Sequence, residues 1–275
     1  MIKPSVSLSL FDAPPGAPIL FSNNIAVNIP LIAGLGYQGV DLFVQDPDAE
    51  VSQEALKLLN EYDLGVGAVM PAALAGEGLF LADRNPEIRR EVIRRLDGII
   101  RYAAEAGGMV SLGLVRGNNV PGETVQETLN RFSDTIEKIL PVSESCGVPL
   151  MVEPINRYEI NTLNSSIESC DYIQESGLPL YLMLDTFHMN IEDVSIHESF
   201  RYCRDYLRHV HFLDSNRLAP GMGHLDMESI MQTLWEIDYR GFLCLEALPK
   251  PDAAACARRG AEFFQAAGLI KRKKI

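Results

Sequence analysis

Sulfur chemistry, a basic surface and long apolar runs are all missing from this sequence. Its five cysteines, Cys146, Cys170, Cys203, Cys244 and Cys256, form no CxxC pair and are odd in number. That excludes a disulfide framework or a thiolate zinc site as the organising feature, and buried, reduced thiols are expected. Basic residues are scarce, with 24 Lys and Arg against 37 Asp and Glu and a formal net charge of −13. Such a balance repels phosphate backbones and anionic bilayers, so neither nucleic acid nor membrane is expected as a partner. The short run Lys271 to Lys274 reads as a solvated basic end. No apolar stretch reaches membrane-spanning length, and the opening MIKPSVSLSLF lacks a long signal-type apolar region, so a cytoplasmic protein is expected. No glycine-rich dinucleotide fingerprint follows any apolar run, which removes the main support for a Rossmann sheet.

What remains is an alternation. Apolar, strand-like runs at 4–10, 39–44, 64–70, 109–115, 149–155, 180–184, 209–213 and 241–245 are separated by segments of helical period. Asn85-Pro86 opens a long helix that Gly107-Gly108 ends, and Ser165 with Glu168 reads as a capping box. Eight β-then-α units in a chain of 275 residues fit a single α/β domain over 1–275, a (β/α)8 TIM barrel. The longest loops, 11–24, 71–85 and 215–227, each follow a strand and so are expected on the catalytic rim as lids.

Four residues near the ends of four successive strands carry the chemistry: Glu153, Asp185, His211 and Glu246. One carboxylate at a strand end is an ordinary helix cap or ion pair. Three carboxylates and one imidazole on one contiguous arc of rim make a site for a hard divalent cation. His209 lies two residues before His211 on the same strand, deeper in the barrel, and is expected as a hydrogen-bonded core histidine. His188, Glu159, Arg217 and His224 follow the same strands in polar loops and are candidates for substrate contact. Arg116, in GLVRG, is a cation on the same rim, read either as an ion-pair partner of the cluster or as a fork for a substrate carboxylate. Glu153 and Glu246 stand on different strands, suited to removing a proton beside a ketone and returning one to the opposite face. That chemistry is epimerisation through an enediolate, or aldose–ketose isomerisation if the proton returns to the neighbouring carbon.

The segments VEPINRYE, LDTFHMNIE, HFLDSNRLAPGMGHLD and CLEALP resemble the xylose isomerase-like TIM-barrel superfamily of sugar isomerases and epimerases. Within it they look like the ketose 3-epimerases, those of D-tagatose and D-psicose among them, and more closely the 5-keto-L-gluconate epimerases. The likeness extends through GYQGVDLFVQDP, NPEIRREVIRRLD and GLVRG, nearly the whole chain. It implies Glu153, Asp185, His211 and Glu246 as metal ligands, with Glu153 and Glu246 also the acid–base pair. It implies Glu159, His188 and Arg217 as sugar contacts, one Mn2+ (with Co2+ or Mg2+ accepted), and a homodimer or homotetramer. The expected activity is epimerisation of a keto-uronate such as 5-keto-L-gluconate or D-tagaturonate. The alternative is a ketose 3-epimerase or aldose–ketose isomerase acting on a neutral or phosphorylated sugar. Two departures stand out: Asp41, where many relatives carry Glu, and the alanine- and glycine-rich segment PAALAGEGLFL. An endonuclease on the same barrel would need a three-zinc cluster, and strands three and four offer no histidine for it.

Overall fold

The computed structural model describes residues 1–271. The remainder of the basic run, 272–274, lies outside the described residues. Nine strands run β1 (Lys3–Ser9), β2 (Phe21–Ser22), β3 (Gly39–Phe43), β4 (Gly65–Met70), β5 (Met109–Ser111), β6 (Leu150–Val152), β7 (Leu180–Asp185), β8 (Leu207–His211) and β9 (Phe242–Leu245). The helices are α1 (Ile25–Leu35), α2 (Glu50–Glu61), α3 (Ala72–Gly76), α4 (Pro86–Ala106), α5 (Val125–Cys146), α6 (Ser166–Ser176), α7 (Thr186–Glu192), α8 (Ile196–Cys203), α9 (Met227–Glu236) and α10 (Ala253–Ala266). Every strand pairing is parallel, and β1 bonds both β3 and β9, which closes an eight-stranded barrel. The extra strand β2 is a two-residue addition beside β1 inside the first long loop. No helix among the described residues is long and apolar enough to cross a membrane.

The pleat separates two interiors. Val40, Leu42, Val152, Leu184 and Val210 face outward into the main apolar core beneath the helices. Phe43, Met70, Met151 and Met183 belong to a separate, smaller cluster inside the barrel. Residues two apart on a strand share a face. Glu153 therefore follows Met151 to the inside, and Asp185 follows Met183. The same step takes His211 from His209 and Glu246 from Cys244. The strand pattern alone directs four polar side chains to the upper end of the barrel.

The helix signals hold. Asn85 accepts from the Glu87 N–H with Pro86 at the first helical position, and Gly107 takes the left-handed conformation (φ 70°) that ends α4. Ser165 caps α6 by accepting from the Glu168 N–H, but the expected box is not closed, since Glu168 Oε2 accepts from the Asn164 N–H (2.9 Å) and not from that of Ser165. Two strands are shorter than their sequence indicates, the run 149–155 being extended only over Leu150–Val152. The run 109–115 is extended only to Ser111, with one further bond from the Leu112 N–H to the Met151 carbonyl (2.7 Å), and a 3-10 turn follows at Leu114–Arg116. At the break the chain passes close to the site: a Cβ on Gly113 would lie 2.5 Å from Glu153 Oε2, so a side chain there would displace that carboxylate.

Candidate active site

Glu153 stands one residue past β6, Asp185 and His211 are the last residues of β7 and β8, and Glu246 stands one residue past β9. All four are buried. Nδ1 of His211 lies 3.4 Å from Glu246 Oε2, 3.5 Å from Glu153 Oε1 and 3.7 Å from Asp185 Oδ2. One donor atom from each residue fits within 4.8 Å of all the others. Asp185 is divided between two tasks. Its Oδ1 caps α7 by accepting from the N–H groups of Phe187 (2.7 Å) and His188 (3.4 Å). Its Oδ2 has no hydrogen-bond partner among the described residues, and neither has His211 Nδ1. A buried carboxylate oxygen and a buried ring nitrogen, both without a hydrogen-bond partner and meeting at one point, are costly unless something joins them.

The electrostatics agree. Burial works against a charge on the His211 ring, yet Glu246, Asp185, Asp41 and Glu153 together push its pKa well above the usual imidazole value. Burial raises Asp185, but His188, His211 and Arg217 outweigh it and hold the carboxyl at about 2. Glu246 goes the other way: burial and the neighbouring Glu153 raise it against the pull of His211 and Arg217. The field at this point favours a cation, and the donor set of three carboxylates and one imidazole nitrogen suits Mn2+ or Mg2+ better than a soft metal.

Above the cluster opens a cavity of about 690 Å³. Its walls are largely apolar, with Phe11 and Ile19 from the first long loop and Phe80 from the second. Of the third long loop only Arg217 lines it. The second loop carries the short helix α3, so the segment PAALAGEGLFL is a folded wall presenting small side chains. Glu153, Glu246, Glu159, His188 and Arg217 bring polarity to one side. Arg217, with a left-handed backbone (φ 60°), donates from Nη1 to Glu159 Oε1 at 2.8 Å and lies over the Phe187 ring at 4.9 Å. Asn156, which sequence reasoning passed over, ties this side together. Its amide nitrogen donates to Glu159 Oε1 and to His188 Nδ1, both at 2.8 Å. His188 Nδ1 must then accept, which leaves its Nε2 as the N–H, 3.5 Å from Arg217 Nη2. The only sequence signal for Asn156 is its place three residues past Glu153 in EPINR.

Two candidate substrate contacts lie elsewhere. Arg116 is fully buried and does not line the cavity. Its guanidinium donates to the backbone carbonyls of Glu153 (3.0 Å) and Thr162 (2.9 Å), so it braces the chain behind Glu153. Burial lowers its pKa to about 10 against the pull of Glu153, which still leaves it charged at neutral pH. His224 is exposed and pairs through Nδ1 with Ser215 Oγ at 2.8 Å. The loop carrying it folds around Asp214, which accepts from the N–H groups of Ser215, Gly221 and Leu225, and His224 does not line the cavity. His209 is the buried, hydrogen-bonded core histidine expected, with Nε2 2.7 Å from Asp41 Oδ2.

The profile of the family described as xylose isomerase-like TIM barrel matches residues 29–267. The D-psicose 3-epimerase of Enterocloster bolteae is 31% identical over 208 residues, 72% of this chain and 68% of that protein. The 3-dehydro-D-guloside 4-epimerase of Escherichia coli is 25% identical over 249 residues, 87% of this chain and 93% of that protein. Among solved structures, an L-ribulose 3-epimerase superposes with a TM-score of 0.82 at 22% identity, over 98% of this chain and 95% of that one. A 3-keto-D-glucoside 4-epimerase from E. coli superposes with a TM-score of 0.80 at 21% identity, over 97% of this chain and 100% of that one. At these identities the structural likeness establishes the barrel fold.

Proposed function

This chain belongs to the xylose isomerase-like TIM barrel family, and from that premise we propose that it inverts the carbon beside the ketone of a neutral ketose or keto-glycoside. It is a sugar epimerase, an isomerase by class. The observation that carries the reading is the meeting of Glu153 and Glu246, from the ends of β6 and β9, at one imidazole nitrogen on the floor of a single cavity.

Glu153, Asp185, His211 and Glu246 would hold a divalent cation, Mn2+ in the first instance with Co2+ or Mg2+ as substitutes. When bound, the ion supplies Lewis acidity that polarises the ketone and makes the adjacent C–H more acidic. Glu246, which Arg217 approaches at 3.7 Å on the sugar side of the cavity, is assigned the proton to be delivered. Glu153 removes one from the substrate carbon, through the oxygen beside Gly113 on the cavity wall. Glu246 delivers its proton to the opposite face, and the reverse reaction exchanges the two roles. Glu159, Arg217 and the Nε2–H of His188 orient the hydroxyls of the sugar. The apolar wall from Phe11, Ile19 and Phe80 keeps water from the carbanion face.

A neutral substrate fits the charge of the site. With Arg116 turned into the scaffold, Arg217 is the cation on the cavity wall, and Glu159 and Glu246 already flank it. A keto-uronate is the second reading, favoured by that same guanidinium, which would have to release Glu159 to fork onto a carboxylate. A homodimer or homotetramer belongs to the proposal. Tyr158 (81% exposed) and the fully exposed Val194 flank the Arg157–Glu192 ion pair and offer apolar surface to a second copy. So does a cytoplasmic location, in keeping with five free cysteines.

The test is proton NMR in D2O of the Mn2+-loaded, then Mg2+-exchanged enzyme with D-psicose, D-fructose, L-ribulose and D-tagaturonate. Deuterium entering at the carbon beside the ketone, with the epimer forming, is expected for the neutral ketoses. Glu153→Gln and Glu246→Gln should each reduce that exchange about 10²–10⁴-fold while keeping the melting temperature of the metal-free protein. No exchange with any of these sugars at full metal occupancy would refute the epimerase mechanism. Exchange confined to D-tagaturonate would transfer the assignment to the uronate.

A further inference from the structure

Beneath the cation cluster lies a second buried group: Asp41, His209, His211 and Cys244, with one donor atom of each within 4.8 Å of the others. Its residue types are those of a zinc site, but its distances are not. Asp41 Oδ2 is 2.7 Å from His209 Nε2 and 3.1 Å from His211 Nε2. Two ligand atoms, each about 2.0–2.1 Å from a tetrahedral zinc, would stand roughly 3.3 Å apart. A 2.7 Å separation is a hydrogen bond with no room for an ion between.

The chemistry of that bond fixes more than a contact. An ionised carboxylate only accepts, so both imidazoles that meet Asp41 Oδ2 must carry their hydrogen on Nε2. For His211 this leaves Nδ1 as the nitrogen with a free lone pair, the atom that faces Glu153, Asp185 and Glu246. The two rings stand edge to face, at 86° and 5.4 Å between centroids, so His209 approaches the same oxygen from another direction. The barrel wall makes space for the arrangement. A Cβ on Gly67 of β4 would lie 2.6 Å from Asp41 Oδ1 and 2.7 Å from His209 Cε1. Asp41, His209 and His211 are all buried without measurable exposure.

We infer that Asp41, itself held by His209, is a positioning residue that locks the ring and tautomer of His211 so that Nδ1 points into the cation site. The inference rests on the reading of Glu153, Asp185, His211 and Glu246 as ligands. It adds that the affinity of that site is set one layer below it, by a residue that touches neither cation nor sugar. Asp41→Asn keeps the shape and an acceptor oxygen but loses the charge, so the bonds that this oxygen accepts from the two Nε2–H groups become weaker, neutral ones. His209→Leu removes the donor that steadies Asp41. His209→Gln places an amide N–H near the position of Nε2 and should restore it.

The experiment is calorimetric titration of the chelator-treated full chain with Mn2+, paired with histidine 15N NMR of the Mg2+-loaded protein. Asp41→Asn is expected to bind Mn2+ about 10–100-fold more weakly than wild type, the range for loss of a group that orients a metal-ligating histidine. His209→Leu should fall in the same range and His209→Gln within about threefold of wild type, a rescue that mere disturbance of the core would not produce. The spectra should show His211 protonated on Nε2 in wild type. Wild-type binding with Asp41→Asn unchanged to within twofold, or His211 protonated on Nδ1, would overturn the inference and leave the cation site standing. Absence of Mn2+ binding by wild type would overturn both. Should Asp41→Asn fail to fold, the His209→Leu and His209→Gln pair decides by itself: equal affinities would end the proposal.

Discussion

Arg217 spans the two carboxylates that bracket the sugar side of the cavity, with Nη1 2.8 Å from Glu159 Oε1 and Nη2 3.7 Å from Glu246 Oε2. It lowers the pKa of Glu246 against the opposing effect of burial. Removing it must raise that pKa further, whatever else occupies the site, because a nearby cation always favours the ionised carboxylate. For Arg217→Met the basic limb of the kcat/KM profile, where Glu246 loses the proton it must deliver, is therefore expected to move to higher pH. Turnover should drop about 10²-fold through lost orientation of the sugar. An unshifted basic limb, measured by pH-rate profiles of both proteins, would separate Arg217 from the proton-carrying glutamate.

Metal dependence is expected in stability as well as turnover. A ligand bound by the folded state alone stabilises it by about 2.7 kcal/mol at one hundred times its Kd. Thermal melts of the chelator-treated protein should thus shift upward by several degrees on Mn2+ addition. Asp185→Asn is the discriminating variant: an asparagine Oδ1 can still cap α7 toward Phe187 N–H, but the free Oδ2 is lost. It should abolish the Mn2+ shift with little change to the metal-free melt. A shift that persists in this variant would place the ion elsewhere.

The positions of Glu153, Asp185, His211 and Glu246 were legible because each follows a short apolar run, and strand spacing alone then puts them on one arc. Parity on the pleat supplies the rest, since each lies two residues past a side chain already committed to the barrel interior. Asp41 was legible only as a departure from relatives. A single aspartate inside an apolar strand carries no spacing signal, and its partners, His209 and His211, come from the far side of the sequence. Arg116 misled for a related reason. Its place after an apolar run suggests a rim, but the chain turns at Gly113 and carries the guanidinium behind Glu153. The direction of a long side chain after a turn is settled by tertiary carbonyls that the sequence does not display. The third long loop looked like a lid by length alone, and its organisation around Asp214 depends on backbone N–H groups, which are invisible to composition.

Arg116 should therefore behave as scaffold. Arg116→Met leaves the carbonyls of Glu153 and Thr162 buried without their charged donor. The expected loss is about 3 kcal/mol, read as a lower urea midpoint. Because the brace acts on the Glu153 backbone, kcat should fall together for D-psicose and D-tagaturonate. A selective rise in KM for D-tagaturonate would instead return Arg116 to the role of carboxylate receptor.

Asp214 supplies the pH dependence of the loop that carries Arg217. Its Oδ1 accepts from the N–H groups of Ser215 (2.7 Å) and Leu225 (3.0 Å), and its Oδ2 from that of Gly221 (2.9 Å). Burial raises its pKa, but these backbone donors, with Gly223, outweigh it and bring the folded-state value below the ordinary one. A lowered folded-state pKa means stability fully present above the unfolded value, about 3.9, and lost as pH falls through the folded value. Loop order should accordingly be constant from neutral pH to about 5 and decline below 4. Amide hydrogen exchange of Ser215, Gly221 and Leu225 reads this directly. Wild type should lose protection in the acid range, while Asp214→Asn, unable to ionise, should be poorly protected at pH 7 and change little on acidification. Gly223→Ala provides the steric counterpart, since a Cβ there would lie 2.2 Å from Asp214 Oδ1 and push the carboxylate off its donors at every pH. Equal protection in wild type and Asp214→Asn at pH 7 would mean that the loop is held by something other than this carboxylate.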